Sequence, residues 1–440
     1  MTQTLTLPVE KSASLRRAVG SFLDAVGAWA RRVMGACPEG FVSDSHDGGT
    51  FMLPWAVYAR AAGDERPAAF MRRYRDGAKH RFEQAGLWRD GYWRRQEVHH
   101  GTEHFELFVG GLWRLDPRDA ETIAQFEDAA EHVGNWKAGV PAWYDWDTGL
   151  FRSMHLGTET VGPASPNVPD HVRLIRICLL AGAMTGRRRY LDLARRAGLR
   201  WADALVDGAH LPVAIDADGA VSDLARAETS YRAFAGAAPD DLDRELPRAE
   251  NLIASGVPDA MLALWQATGD GAFRAAAERI IDVAAGDLAS PIAWQAQAAV
   301  RRYRDATGSG RYDARVRDVA DDAVRDVGAL TLVAAPEAPR VTGPLGMRAD
   351  KPDWLDADGR AAPSPLLGAL KALVIDDPAL LRRAVDLGRA HFELAARAFG
   401  DVTHHGCGSR SLAAVCRGHG RLNGAGVVTE VLAPALGAQE

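Results

Sequence analysis

The chain has 440 residues, 47% of them hydrophobic and 25% charged, with a formal net charge of -6. That balance is ordinary for a globular protein and gives no electrostatic reason to expect nucleic acid as a partner. Because a single core stops growing near roughly 250–300 residues, the length requires either several domains or one architecture that keeps adding similar units. The second is the expectation here, as one domain over residues 1–440.

From the N-terminus, Leu15 to Met34 reads as an arginine-rich amphipathic helix, predicted near 13–35, and not as the apolar core of a signal peptide. No run of about eighteen apolar residues follows, so no membrane span is expected. The four cysteines, Cys37, Cys178, Cys407 and Cys416, come without a secretion signal. They argue against a disulfide framework and for a cytoplasmic protein.

One local pattern then recurs. An apolar helical run ends in Ala or Thr, then Gly, then a polar residue, and a second helical run begins. It occurs at Ala62-Gly63-Asp64, Thr185-Gly186-Arg187, Thr268-Gly269-Asp270 and Thr307-Gly308-Ser309, and Asp116-Pro117 and Asp377-Pro378 stand in the same context. Glycine just past a helix supplies a left-handed cap, and proline opens the next helix. The implied pairs are 50–62 with 66–84, 101–115 with 117–135, 169–186 with 188–206, 252–268 with 271–286, 291–308 with 311–328, and 363–377 with 378–399. A last helix is predicted at 424–437, and short β-prone runs at His210–Ile215 and Ala329–Ala334. First helices of the pairs are apolar on more than one side, as in Val172–Ala183, whereas second helices carry many arginines and aspartates, as inner and outer layers should. Irregularly spaced helical pairs, six in number, favour an all-α (α/α)6 toroid, a ring of six hairpins, over a regular solenoid.

The stretch Ser255-Gly256-Val257-Pro258-Asp259-Ala260-Met261-Leu262-Ala263-Leu264-Trp265, running on to Thr268-Gly269-Asp270, resembles the six-hairpin (α/α)6 toroid proteins. The likeness covers roughly residues 50–400 as a pattern. It implies membership of a superfamily of glycoside hydrolases, polysaccharide lyases and sugar epimerases, and it selects no branch.

In such a ring the short turns follow the inner helices, and the long connections gather on the opposite face, where function is expected. The densest of these is His99-His100-Gly101-Thr102-Glu103-His104-Phe105-Glu106, with three of the thirteen histidines. Thr102 is the predicted N-cap of a helix there. Next comes Trp143-Tyr144-Asp145-Trp146-Asp147, then His155, Glu159, Asn167 and Asp170-His171. Glu250 and Asn251 precede the fourth inner helix, and His404, His405, Cys407, Cys416 and His419 lie near the end. Seven of the twelve tryptophans fall between Trp55 and Trp146, and tryptophan faces suit the C–H side of a sugar ring.

These residues point to acid–base chemistry by Glu103, His100, His104, Asp145 and Tyr144. Substrate contacts are expected from His99, Trp143, Trp146, Asp147, His155, Glu159, Asn167, Glu250, Asn251 and His405. His100-Gly-Thr-Glu103-His104 matches a zinc-peptidase pattern only formally, because Gly101 and Thr102 start a helix where the peptidase needs its interior. Cys407, Cys416 and His419 lack a standard zinc spacing. No metal or cofactor is therefore expected. The expected function is a carbohydrate-active enzyme that cleaves or rearranges a small glycoside or uronide. Histidines lean towards a lyase or epimerase, and the paired aspartates towards a hydrolase. The alternatives are a non-sugar toroid enzyme (a terpenoid cyclase, a dehydratase or a zinc-dependent cyclase) or an inert binding protein on the same scaffold.

Overall fold

The computed structural model describes residues 12–37, 39–40, 49, 52–84, 88–89, 92–93, 98, 102, 104–139, 141–152, 166–235, 242–289, 294–323, 333–334, 354–355, 365–399 and 431–436. The fold class is all-α. The helices are α1 (Ala13–Ala36), α2 (Leu53–Ala62), α3 (Glu65–Gln84), a π-helix (His104–Val109) running into α4 (Gly110–Leu115), α5 (Ala120–Val133), α6 (Val172–Thr185) and α7 (Arg188–Asp207). They continue as α8 (Leu224–Ala235), α9 (Glu245–Ala254), α10 (Val257–Thr268), α11 (Gly271–Ala284), α12 (Trp294–Thr307), α13 (Asp313–Ala323), α14 (Pro365–Ile375), α15 (Pro378–Phe399) and α16 (Val431–Leu436). The hairpins α2/α3, π-α4/α5, α6/α7, α10/α11, α12/α13 and α14/α15 follow the element order of an (α/α)6 toroid. Strands are two-residue pieces: β1 (Trp88–Arg89) pairs with β2 (Tyr92–Trp93), β3 (Tyr144–Asp145) with β4 (Leu150–Phe151), and β5 (Val333–Ala334) with β6 (Trp354–Leu355), all antiparallel. No helix among the described residues is long and apolar enough to cross a membrane.

The Thr-Gly turns have a chemical reason. Thr185 Oγ1 donates to the Ala181 carbonyl at 2.7 Å and accepts from the Arg187 amide at 3.3 Å. Thr268 repeats this with Leu264 and Asp270 at 2.6 and 3.2 Å, and Thr307 with Tyr303 and Ser309 at 2.7 and 3.1 Å. One hydroxyl thus satisfies a last-turn carbonyl and the first amide beyond the glycine, groups that a helix end otherwise leaves open. Gly186, Gly269 and Gly308 take φ of +71, +73 and +66 to make the turn. Asp377 serves the same purpose by accepting from the Ala379 and Leu380 amides.

The residues group into two compact units: 1–71 with 285–341 and 346–440, and 72–284 with 342–345. In the first, α1 packs on α15 through Phe22 and Trp29 against Phe392, at ring separations of 5.9 and 5.3 Å, and Trp29 meets Trp55 of α2 at 5.6 Å. Such edge and tilted contacts add about 0.5–1.5 kcal/mol each beyond the area buried. Arg304 pairs with Asp313 at 3.3 Å and Tyr303 meets Tyr312 edge-on at 5.2 Å, closing the α12/α13 hairpin.

In the second unit α6 is buried nearly all round: Val172, Leu174, Ile175, Ile177, Cys178 and Ala181 are inaccessible. Helix α7 shows one buried face (Tyr190, Leu193, Ala194, Ala197, Trp201, Leu205), as an outer helix should. Arg75 of α3 reaches Asp119 at 2.8 Å and Thr122 at 2.6 Å, tying α3 to the start of α5.

Several expectations are corrected. The Thr102 hydroxyl donates to the Val98 carbonyl at 2.7 Å. The predicted helix from 252 to 268 is two helices, broken at Ser255-Gly256. Glu250 and Asn251 consequently lie inside α9, not in a connection. The predicted strand at 210–215 is reduced to Ile215, which bridges Asn167 and Val221.

A Cβ at Gly198 of α7 would run into Leu264 Cδ1 and stand 3.1 Å from Phe273 Cε1, so α10 and α11 pack against bare backbone there. Gly198→Ala gains roughly 1 kcal/mol of helix propensity but overpacks two fully buried side chains at about 1–3 kcal/mol. Urea unfolding should show a net loss of stability, and a more stable variant would refute this packing.

Candidate functional site

Within residues 72–284 three helix starts share one buried ionic cluster: the π-helix, the 3₁₀ turn Pro169–His171 that leads into α6, and α10. Arg173 on the first turn of α6 is at its centre. Its Nε lies 3.7 Å from Glu106 Oε2 of the π-helix and 3.3 Å from Asp170 Oδ1, with side chains 1%, 3% and 0% exposed respectively. Its Nη1 approaches Thr102 Oγ1 at 3.4 Å. One turn on, Arg176 Nη1 is 2.8 Å from Glu106 Oε1 and 3.4 Å from Asp259 Oδ2 of α10. Arg176 and Asp259 are 23% and 19% exposed, so the cluster meets solvent on their side.

Local sequence explains the placement. Positions 170, 173 and 176 fall three apart, on one helical stripe. Helix starts attract carboxylates through their unpaired amides and dipole, and burial then demands counter-ions. The π-helix adds a residue to the turn that carries Glu106, a local widening common at functional sites. The two oxygens flanking Arg173 Nε can be no farther apart than 3.7 and 3.3 Å laid end to end, about 7 Å. Paired carboxylates of glycosidases stand roughly 5–5.5 Å apart in retaining enzymes and about 6.5–9.5 Å apart in inverting ones.

His104 is buried beside the cluster, edge-on to Phe105 at 5.5 Å and tilted against Phe108 at 5.7 Å. Burial, helped by the positive charge of Arg75, pushes its imidazole down to about 3, which leaves it neutral at physiological pH.

The Tyr144–Asp147 segment forms the β3–β4 hairpin. Asn135, at φ +61, pins it by accepting from the Trp143 and Tyr144 amides and donating to the Tyr144 carbonyl, at 2.7, 3.2 and 2.6 Å. Asp145 closes the turn, accepting from the Asp147 and Thr148 amides, with Arg152 at 3.7 Å. Burial raises its carboxyl, but those amides and Arg152 outweigh that and hold it below the usual range. Burial pushes the Tyr144 phenol well above its ordinary value, so it keeps its proton. Trp143 is buried, whereas Trp146 is 37% exposed beside Tyr144 and Trp136, at 5.0 and 5.8 Å. Asp147 is exposed, and its carbonyl accepts from Arg196 on α7.

Asn167 brackets Phe151, accepting from its amide at 2.9 Å and donating to its carbonyl at 2.8 Å. Phe151 in turn stacks on His171 at 5.8 Å, next to Asp170. Asn251 is buried in α9 and accepts from the Ser255 amide through its backbone carbonyl. Glu250 is half-buried on the same helix. His99, His100, Glu103, His155, Glu159 and His405 lie outside the described residues, as do His404, Cys407, Cys416 and His419. Sequence reasoning gave no role to Glu106 or Asp170, although both lie in stretches it singled out, and missed Arg173, Arg176 and Asp259 altogether. The signal was present in two arginines at i and i+3 inside an otherwise apolar run, which burial can accommodate only with carboxylates nearby.

Arg173→Met should remove the shared counter-ion of Glu106 and Asp170 and cost about 3–5 kcal/mol, the range for breaking a buried pair from one side. Denaturant unfolding measures it, and a loss below about 1 kcal/mol would refute the cluster. The unfolded imidazole of His104 gains a proton near pH 6.5, whereas the folded one resists until about 3. Stability is thus fully present above about 6.5 and falls as pH drops towards 3. His391, buried in the other unit and also pushed down to about 3, acts in the same window. His104→Phe should flatten part of that acid slope in unfolding titrations, and a slope equal to wild type would count against the buried neutral ring.

No protein-family model matches the chain, and no curated protein matches its sequence. Among solved structures, an unsaturated glucuronyl hydrolase specific for heparin is similar at 12% identity with a TM-score of 0.49, covering 88% of this chain and 99% of its own. The unsaturated glucuronyl hydrolase from Bacillus sp. GL1, responsible for the degradation of glycosaminoglycan, is similar at 13% identity with a TM-score of 0.44, covering 86% of this chain and 84% of its own. Likeness at this level is one of helical architecture and says nothing of the residues of the site.

Proposed function

We propose that this protein is a carbohydrate-active enzyme that cleaves or rearranges a small glycoside or uronide by acid–base catalysis, with Glu106 and Asp170 as its carboxylate pair. One observation carries the reading: both carboxylates flank Arg173 Nε, which bounds their separation at about 7 Å. That upper limit admits the spacing of roughly 5–5.5 Å at which one acid protonates a leaving oxygen while the other serves as nucleophile, and the lower end of the inverting range. Arg173 holds both side chains in fixed orientation, and fixed catalytic geometry is worth far more than the groups alone. Two carboxylates so close together favour hydrolysis, which uses an acid and a base or nucleophile of this kind, and Tyr144, whose phenol burial pushes up, is a poor base for elimination. Exposed Trp146, three residues after buried Trp143, offers a face on which a sugar ring can stack.

The test is turnover of aryl glycosides, intact uronides and 4,5-unsaturated uronides, assayed side by side. Hydrolysis of at least one class is expected, with Asp170→Asn and Glu106→Gln each lowering kcat by about 10²–10⁴, the usual worth of a general acid or base. Binding without turnover, seen as ligand-induced rises in Tm alone, would refute an enzyme, and full activity in Asp170→Asn would refute this pair.

A further inference from the structure

Gly256 stands between α9 and α10 with φ +76. A left-handed glycine is a common way to end a helix, and Gly186 and Gly269 end α6 and α10 in the same manner. Space sets Gly256 apart. A Cβ there would stand 2.6 Å from Arg176 Nη1, whereas at Gly186 and Gly269 it would meet nothing within 4 Å. The same Nη1 reaches Glu106 at 2.8 Å and Asp259 at 3.4 Å. This nitrogen therefore has a carboxylate from the π-helix, a carboxylate from α10 and the bare backbone of Gly256 around it. The end of an arginine is flexible, but the atom that would have to shift to clear a methyl group is Nη1, the one that contacts both carboxylates.

We propose that Gly256 is a positioning residue for the Glu106–Asp170 pair: its missing side chain lets Arg176 bridge Glu106 and Asp259, and that bridge orients Glu106. This rests on the acid–base reading of the pair. Charge favours positioning over ligand capture as the work of Arg176. Arg176 Nη1 is taken up by the carboxylates of Glu106 and Asp259, and so is turned towards them and not towards an anion. Without Arg176 in place, Glu106 keeps, among the described residues, only the ion pair with Arg173, at 3.7 Å and shared with Asp170.

The experiment compares Gly256→Ala with Gly269→Ala, each alone and combined with Arg176→Lys. Both alanines meet the same left-handed strain, but only position 256 has a guanidinium beside it. Lysine retains the charge and lacks Nη1, so it relieves the contact. Gly256→Ala is expected to lower kcat at least about tenfold with KM changed less than about twofold, and Gly269→Ala to leave both within about twofold. In the Arg176→Lys background Gly256→Ala should have little further effect on kcat. The Tm losses at 256 and 176 should be non-additive and those at 269 and 176 additive, since only touching residues couple. Additive losses at 256 and 176, or equal kcat in the two alanine variants, would overturn the proposal. A wild-type protein that turns over no glycoside or uronide would overturn the acid–base reading first, and the positioning role with it. Turnover that survives Gly256→Ala would remove the positioning role alone.

Discussion

A guanidinium with 1% of its surface exposed has to find carboxylates, and the architecture of residues 72–284 follows from where Arg173 finds them. Removing an ion from water costs several kcal/mol even after relaxation, and only close opposite charge offsets it. Arg173 meets one carboxylate from its own helix start and one from the π-helix, while Arg176 adds a third from α10. Three helices that apolar packing alone would let rotate or slide are thereby fixed at one end. Apolar contacts supply most of the stabilisation, roughly 1.5–3 kcal/mol for each large buried side chain. The ionic cluster supplies rotational setting, which apolar surfaces, having no direction, cannot.

The hairpin order was readable because its signals are local. A threonine hydroxyl that serves the carbonyl four residues back and the amide two residues on needs no tertiary partner, so Thr185, Thr268 and Thr307 mark their turns in any sequence window. The break at Ser255-Gly256 was less readable, because Asn251 to Thr268 keeps a helical period on both sides of it. The site was half readable. Glu106 and Asp170 belong to stretches that stand out for their polarity, and a carboxylate at a helix start is a local signal. Which of several carboxylates turns inward depends on partners far away in sequence: Arg173 is 67 positions from Glu106, a separation no local pattern records. Tyr144–Asp147 shows how a local role can accompany the same signal. Its aspartates look like a catalytic pair in one dimension, yet the carboxylate of Asp145 closes the turn of its own hairpin.

The aromatic hairpin and the ionic cluster are joined through Asn167 and Phe151. Asn167 fixes the backbone of Phe151, whose ring lies against His171, the neighbour of Asp170. A series of ring contacts thus runs from the exposed Trp146 through Tyr144 and Phe151 to His171, the sequence neighbour of the buried acid.

The buried charges also bear on how this interior could be rebuilt. A cluster of five ionised groups replaced as a whole by well-packed apolar residues is often neutral or stabilising, by up to about 4 kcal/mol where ion pairs have been exchanged in this way. Glu106, Asp170, Arg173, Arg176 and Asp259 could on that ground be exchanged together for apolar residues of similar volume without loss of stability. What such an exchange would lose is direction, because an apolar layer at this end of the helices would leave their rotation about their own axes unset.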